Sequence, residues 1–164
     1  MIELATRADA PDVVRIVNAA YDAGEAGIWE RGWARTDREA IEAMIDAREI
    51  AVLRADAGIV GCVRVRRLDQ ETAELGMLSV DPKAMGTGAG RRLLAFAEQH
   101  HGTPFIQLEL LVPRAPHAHK QRLHEWYSRL GYVQISQREF DEALLAGPSD
   151  MRTYRRSLRA APVN

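Results

Sequence analysis

A single cysteine, Cys62, stands in a chain of 164 residues. One thiol excludes an internal disulfide and any multi-thiolate metal site. The sequence has no apolar run long enough to cross a bilayer. Neither sign of charge is in excess: 22 Lys and Arg face 23 Asp and Glu, a formal net charge of −1. Nothing global therefore favours a nucleic acid or an anionic membrane surface. The opening residues, MIELATRADAPD, carry acids and do not read as a secretory signal. There are no internal repeats, no low-complexity tract and no linker. A cytoplasmic protein is the expectation, and the lone thiol fits a reducing compartment.

What remains is an ordinary globular balance of 46% apolar and 27% charged residues. The length predicts one domain over residues 1–164 with a real core. Strand and helix patterns alternate. A short strand over Ile2–Thr6 precedes a helix from about Asp12, where Val13, Val14, Ile16, Val17 and Ala20 recur at helical spacing. Gly24 to Arg35 is irregular, and Thr36 or Asp37 reads as the cap of a second helix reaching about Ala47. Ile50–Arg54 and Ile59–Arg66 form a hairpin around Asp56-Ala57-Gly58, and Thr72–Val80 is the next strand. A helix over about Thr87–His101, a strand over Pro104–Val112 and a helix over His119–Leu130 follow, the last closed by Gly131. Val133–Phe140 and Met151–Leu158 make a final strand pair. The order implies a mixed α/β fold, its early strands hairpin-connected.

The most informative segment is LSVDPKAMGTGAGRRLL, from Leu78 to Leu94. A strand ends, the chain turns at Pro82, and Gly86, Gly88 and Gly90 lead into an amphipathic helix. The first N–H groups of a helix have no partners within it, and the helix dipole makes that end electropositive. A pyrophosphate is the natural occupant, and Arg91 and Arg92 add charge there. A dinucleotide fingerprint would need G-x-G-x-x-G near the first strand, whereas the spacing is G-x-G-x-G with Arg91 at the third glycine position. No Gly-Lys-Ser/Thr follows, which removes a P-loop. A glycine turn that merely lets strand and helix pack closely is the plain alternative.

Two blocks together carry a family resemblance. Val80-Asp81-Pro82 with Gly86-Thr87-Gly88-Ala89-Gly90 and Leu93-Leu94 resembles the acyl-CoA-binding motif of the GNAT acetyltransferase superfamily. Leu123-His124-Glu125-Trp126-Tyr127-Ser128-Arg129-Leu130-Gly131-Tyr132 resembles that family's later helix-to-strand motif. The resemblance implies the GNAT fold: a mixed, mostly antiparallel central sheet, splayed in the middle and flanked by helices. It also implies direct transfer of an acetyl group from acetyl-CoA to an amine, with no acyl-enzyme intermediate.

By that resemblance, the loop Met85, Gly86, Thr87, Gly88, Ala89, Gly90 and Arg91 holds pyrophosphate, and the backbone of Met77, Leu78, Ser79 and Val80 pairs with the pantetheine arm. A polar residue usually precedes the first glycine; Met85 stands there, leaving its backbone N–H but no polar side chain. Tyr127 matches the tyrosine that protonates the leaving thiolate, as a phenol of pKa about 10 can. The alternative is a core tyrosine beside Trp126. Glu74 matches the glutamate base of the family's histone-acetyltransferase branch, and alternation puts Glu74, Gly76, Leu78 and Val80 on one nominal face unless a bulge intervenes. The alternative is a strand-edge carboxylate paired with an arginine. Lys120 stands where relatives carry asparagine; it either reaches the CoA phosphates or faces solvent.

Trp29, Arg31 and Trp33 fall in the segment that walls the acceptor pocket in this family. Aromatic walls with a guanidinium suit a small amine bearing a carboxylate or phosphate. Alternatively the two tryptophans anchor a long loop and the arginines face water. His117, His119 and His124 lack metal-site spacing and read as capping or solvated residues, or as acceptor-site lining for the first two. The expected partners are acetyl-CoA and a small-molecule amine, with no nucleic acid and no membrane, on a monomer or homodimer. A protein acceptor and a non-catalytic acyl-CoA sensor are the rival readings.

Overall fold

The computed structural model describes residues 1–159; residues 160–164, which the single-domain expectation includes, lie outside the described residues. Seven strands form one sheet in the order β1-β2-β3-β4-β5-β7-β6. They are β1 (Ile2–Leu4), β2 (Ile50–Ala55), β3 (Gly58–Arg67), β4 (Thr72–Val80), β5 (Phe105–Pro113), β6 (Val133–Phe140) and β7 (Ser149–Ser157). Among the described residues four α-helices flank it: α1 (Ala10–Gly24), α2 (Arg38–Asp46), α3 (Ala89–His100) and α4 (Ala118–Arg129). Every strand pairing is antiparallel except β4 with β5. This is the mixed, mostly antiparallel sheet flanked by helices that the resemblance implies.

Alternation along the strands divides the core in two. Val63, Val65, Leu75, Ile106 and Leu108 pack with Leu93 and Leu94 of α3, Tyr127 of α4 and Tyr154 of β7. On the opposite face Ile50, Val52, Cys62 and Met77 pack with Val13, Ile16 and Val17 of α1 and Ile41 and Ile45 of α2. Strands buried on both faces read as nearly continuous apolar runs, as β2 does. Gly61 lets α3 approach: a Cβ there would lie 2.9 Å from Leu93 Cδ1.

The parallel pair is short. Thr72, Ala73 and Glu74 pair with Phe105, Ile106 and Gln107, and beyond them β4 and β5 part. A gap in the middle of a sheet leaves unpaired backbone on both lips, which calls for a ligand to satisfy it. The splay rests on a bulge. Met77 has φ of 49°, a left-handed conformation rare for a non-glycine residue, and the β3–β4 register shifts there.

Helix boundaries follow local chemistry. Asp37 caps α2 by accepting from the Ala40 N–H at 2.9 Å. Gly131, at φ of 88°, closes α4 as its position predicts. The third helix begins at Ala89 rather than Thr87, because Gly86 and Gly88 take positive φ values of 77° and 81° that no helix interior contains. The last strand begins at Ser149, not Met151, because Ser149 and Asp150 already pair with Pro113 and Val112 of β5 and with Phe140 and Glu139 of β6.

Candidate active site

A continuous cavity of about 1160 Å³ occupies the gap between β4 and β5. On the α3/α4 face it is lined by Leu78, Val80, Gly88, Leu108, Leu123 and Tyr127. On the α1 face Tyr21, Trp29, Trp33, Arg35, Glu74 and Met151 line it. One slot therefore runs through the sheet, reachable from both sides.

At its first mouth the turn from β4 to α3 exposes backbone. Gly88 caps α3 with no side-chain hydrogen bond, so the N–H groups of the first turn stay free. Gly86, Gly88 and Gly90 present no Cβ that could cover them. The Thr87 hydroxyl donates to the Ala84 carbonyl at 2.6 Å, so Thr87 braces the loop from within. Met85 is 69% exposed, and its N–H, expected to be available, points to the Pro82 carbonyl at 3.4 Å instead. Arg91 lines the cavity within 3.9 Å of Glu98. A free helix N-terminus flanked by arginine fits a pyrophosphate.

The β4 lip departs from simple alternation. Ala73 and Leu75 face the α3/α4 side, yet after the bulge Leu78 and Val80 face it too, while Met77 joins the α1-side core. Glu74 and Gly76 consequently do not share a face with Leu78 and Val80, which corrects the nominal alternation. Ser79 likewise turns inward: its hydroxyl is buried, finds no hydrogen-bond partner and does not line the cavity.

Glu74 lines the cavity, and Arg66 donates to its Oε1 from Nη2 at 2.7 Å and from Nε at 3.0 Å. The arginine pairing weighed for it is therefore present. Its Oε2 receives no hydrogen bond among the described residues, and the space beside Gly76 is open.

Tyr127 enters from α4, 4% exposed, with its ring edge-on to Tyr132 at 5.4 Å and to Trp126 at 4.8 Å. Its hydroxyl makes no hydrogen bond among the described residues, although the side chain lines the slot. Burial, with Tyr21 nearby, pushes the phenol above its ordinary range, so it stays protonated well past neutrality.

Lys120 does neither of the things expected of it. It is buried, and its Nζ donates to Glu25 Oε2 at 2.8 Å, both side chains being 6% exposed. Glu25 also accepts from the Trp29 indole N–H at 3.3 Å. Such a pair joins residues 95 positions apart, beyond the reach of any local pattern. His117 closes the same region. Its Nε2 meets the Ala26 carbonyl at 3.0 Å, which can only accept, so the proton sits on Nε2 and Nδ1 accepts from the Lys120 N–H. His119 packs on Gly24, and His124 bonds the Tyr154 hydroxyl at 2.8 Å. No cluster of metal-ligating residues exists among the described residues.

The α1–α2 segment forms the far wall. Trp29 and Trp33 stack in parallel at 4.2 Å, and Trp29 meets Phe140 edge-on at 6.4 Å. Backbone bonds Glu30 N–H to Leu144 carbonyl, 2.8 Å, and Ala146 N–H to Ile28 carbonyl, 2.9 Å, tie this segment to the β6–β7 loop. Trp29 is thus both wall and anchor. Arg31, the arginine chosen from this segment, is exposed and lines only a small side recess; Arg35, the second arginine of the same segment, is the guanidinium on the main slot. Tyr21 was also missed, its side of α1 having looked like ordinary core.

Known proteins place this geometry in context. A family model for the acetyltransferase (GNAT) domain matches residues 46–134, more than half of the chain. No curated protein sequence matches significantly. Among solved structures, yncA from Salmonella typhimurium, with its cofactor acetyl-CoA, superposes with a TM-score of 0.73 at 18% identity, covering 100% of this chain and 96% of that one. The ribosomal-protein-alanine N-acetyltransferase from Brucella melitensis gives 0.72 at 20% identity, with 96% and 99% covered. N-acetylglutamate synthase from Neisseria gonorrhoeae, complexed with coenzyme A and N-acetyl-glutamate, gives 0.67 at 19% identity, with 98% of this chain and 35% of that chain covered. These likenesses establish a shared fold. No helix among the described residues is long and apolar enough to cross a membrane. With the family model spanning the glycine loop, the splayed strands and the Tyr127 helix, the chain belongs to the GNAT acetyltransferase family.

Proposed function

We propose that this protein is an N-acetyltransferase that moves an acetyl group from acetyl-CoA directly onto a primary amine of a small molecule. The observation that carries the reading is the through-sheet slot: a free helix N-terminus and an unpaired β4 lip at one mouth, and an aromatic chamber at the other. The first mouth fits coenzyme A, because pyrophosphate needs donors and a pantetheine arm needs an extended backbone to pair with. Bound there, acetyl-CoA supplies a thioester as acyl donor.

The chain's own contribution is placement and proton handling. Gly86, Gly88, Ala89 and Gly90 hold the phosphates through backbone N–H groups, with Arg91 adding charge. Met77 and Leu78, freed from β5 by the splay, supply backbone to the pantetheine arm and to the thioester carbonyl. Glu74, through its free Oε2 or an intervening water, takes the proton that the acceptor ammonium must lose before its nitrogen attacks. Tyr127 donates its proton to the sulfur as the carbon–sulfur bond breaks, and the second proton shed by the newly acylated nitrogen restores the phenol, directly or through water. Amide and thiol are the products, and no acyl group rests on the protein.

A small acceptor is favoured because the α1–α2 segment and the β6–β7 loop are bonded together across the second mouth. A polypeptide would need an open channel between them. Met85 is the one observation that favours the sensor reading, since it removes a phosphate-binding side chain. Thiol release from acetyl-CoA over a panel of amines and peptides separates the three readings. Turnover with a free amine supports ours, turnover with peptides alone supports a protein acceptor, and binding without turnover supports the sensor.

A further inference from the structure

Around the second mouth, charged side chains come in pairs. Lys120 is bound to Glu25 at 2.8 Å, Arg64 to Glu49 at 2.6 Å, Arg66 to Glu74 at 2.7 Å, and Arg138 to Glu109 at 3.5 Å. Each pair is electrically neutral. Arg35 differs: it lines the slot, is half-buried, and has no carboxylate within 4.0 Å among the described residues. Glu142, also without a cationic partner there, lies exposed on the β6–β7 loop at the rim.

Arg35 is nevertheless held in place. Its guanidinium carbon lies 5.1 Å from the centre of the Tyr21 ring. This contact, with a side-chain hydrogen bond from Arg35 to the Tyr21 hydroxyl, holds the guanidinium in place while others of its five N–H donors stay free for a ligand. The backbone is fixed next door, where the Asn18 amide donates to the Thr36 carbonyl at 3.0 Å and accepts from the Thr36 N–H at 3.1 Å. An unpaired, pre-positioned planar cation beside stacked tryptophans is built to receive a planar anion. A lone cation balances one negative charge, which suits a carboxylate better than a phosphate dianion.

We infer that Arg35 binds a carboxylate on the acceptor, so that the acceptor is a small primary amine that also carries a carboxyl group. The inference rests on the acetyl-transfer reading above and narrows its substrate. Arg35 takes no part in the chemical step; it orients the molecule so that its amine reaches the thioester.

The test compares thiol release from acetyl-CoA with amino acids, their methyl esters, the matching aminophosphonates and the decarboxylated amines, using the full chain and Arg35→Gln. The amino acid is expected to be the best acceptor. Arg35→Gln should raise its KM about 10- to 100-fold, the weight of a charge-assisted pair. The ester should be turned over equally by both proteins, which also certifies that the variant is folded. Arg35→Lys should recover part of the loss. Equal use of acid and ester by the wild type, or equal loss on both in the variant, overturns the inference. Preference for the aminophosphonate overturns the carboxylate assignment. Absence of turnover with every amine overturns the acetyl-transfer reading itself, an outcome distinct from turnover without charge preference.

Discussion

Lys120 on α4 and Glu25 at the end of α1 form an ion pair of 2.8 Å, 6% exposed on both sides, at the wall of the slot. The two helices lie on opposite sides of the splay. Glu25 follows the helix that packs on β4, and α4 reaches β7 through His124 and Tyr154. The pair therefore fastens the two halves of the sheet across their gap.

Removing one partner strands the other charge in a site with little water. Lys120→Met or Glu25→Gln should each cost roughly 3–5 kcal/mol in urea denaturation, and the double replacement Glu25→Leu with Lys120→Met should cost much less than their sum. Additive losses would show that the two residues act independently.

Tyr127→Phe keeps the ring and removes the proton. It should lower kcat about 100-fold with little change in the KM for acetyl-CoA. Burial raises the pKa of this phenol, so the folded protein holds the proton to higher pH than the unfolded chain does. Its contribution to stability is full below about pH 10, where the unfolded tyrosine is still protonated, and declines as pH rises beyond that. An unchanged kcat in Tyr127→Phe would contradict the role as acid, and an alkaline limb near neutral pH in the wild type that is lost in the variant would contradict the raised pKa.

The proposed phosphate cradle predicts two opposite outcomes. Gly88 has φ of 81° with open space around it, so Gly88→Ala meets backbone strain rather than a clash, costing about 1–2 kcal/mol. Acetyl-CoA binding measured by calorimetry should weaken, with kcat kept at saturation. Met85→Arg restores a cation beside the loop and should tighten binding up to about fivefold at low salt, less at high salt.

Cys62 is buried among Met77, Ile59 and Val52, and burial alone pushes its thiol up to about 12. Iodoacetamide at pH 8 should leave the native protein unlabelled and modify it only on unfolding, as mass spectrometry would show. The unfolded thiol ionises near its usual pKa of about 8.5 and the folded one does not, so this group's contribution to stability falls as pH rises above that value.

The glycine loop was legible in the sequence because its chemistry is local: three glycines, a strand before and a helix after. The Tyr127 helix was legible for the same reason, with Gly131 marking its end. Glu74 was placed correctly on β4 but not on its face, since the bulge at Met77 depends on pairing with β3 rather than on the residues of β4 alone. Lys120 met Glu25 across 95 residues, and Arg35 displaced Arg31 because the turn of the α1–α2 segment is set by Asn18 on a neighbouring helix. Register, bulges and long-range pairs belong to tertiary structure, and single-chain patterns carry little of them.

The central claim is acetyl transfer to a small amine within a ternary complex, and its most direct measurement is the initial rate of thiol release with acetyl-CoA and amine varied together. The account predicts that at least one small primary amine accelerates release and that the reciprocal plots intersect. Binding of coenzyme A without acceleration by any amine would contradict it.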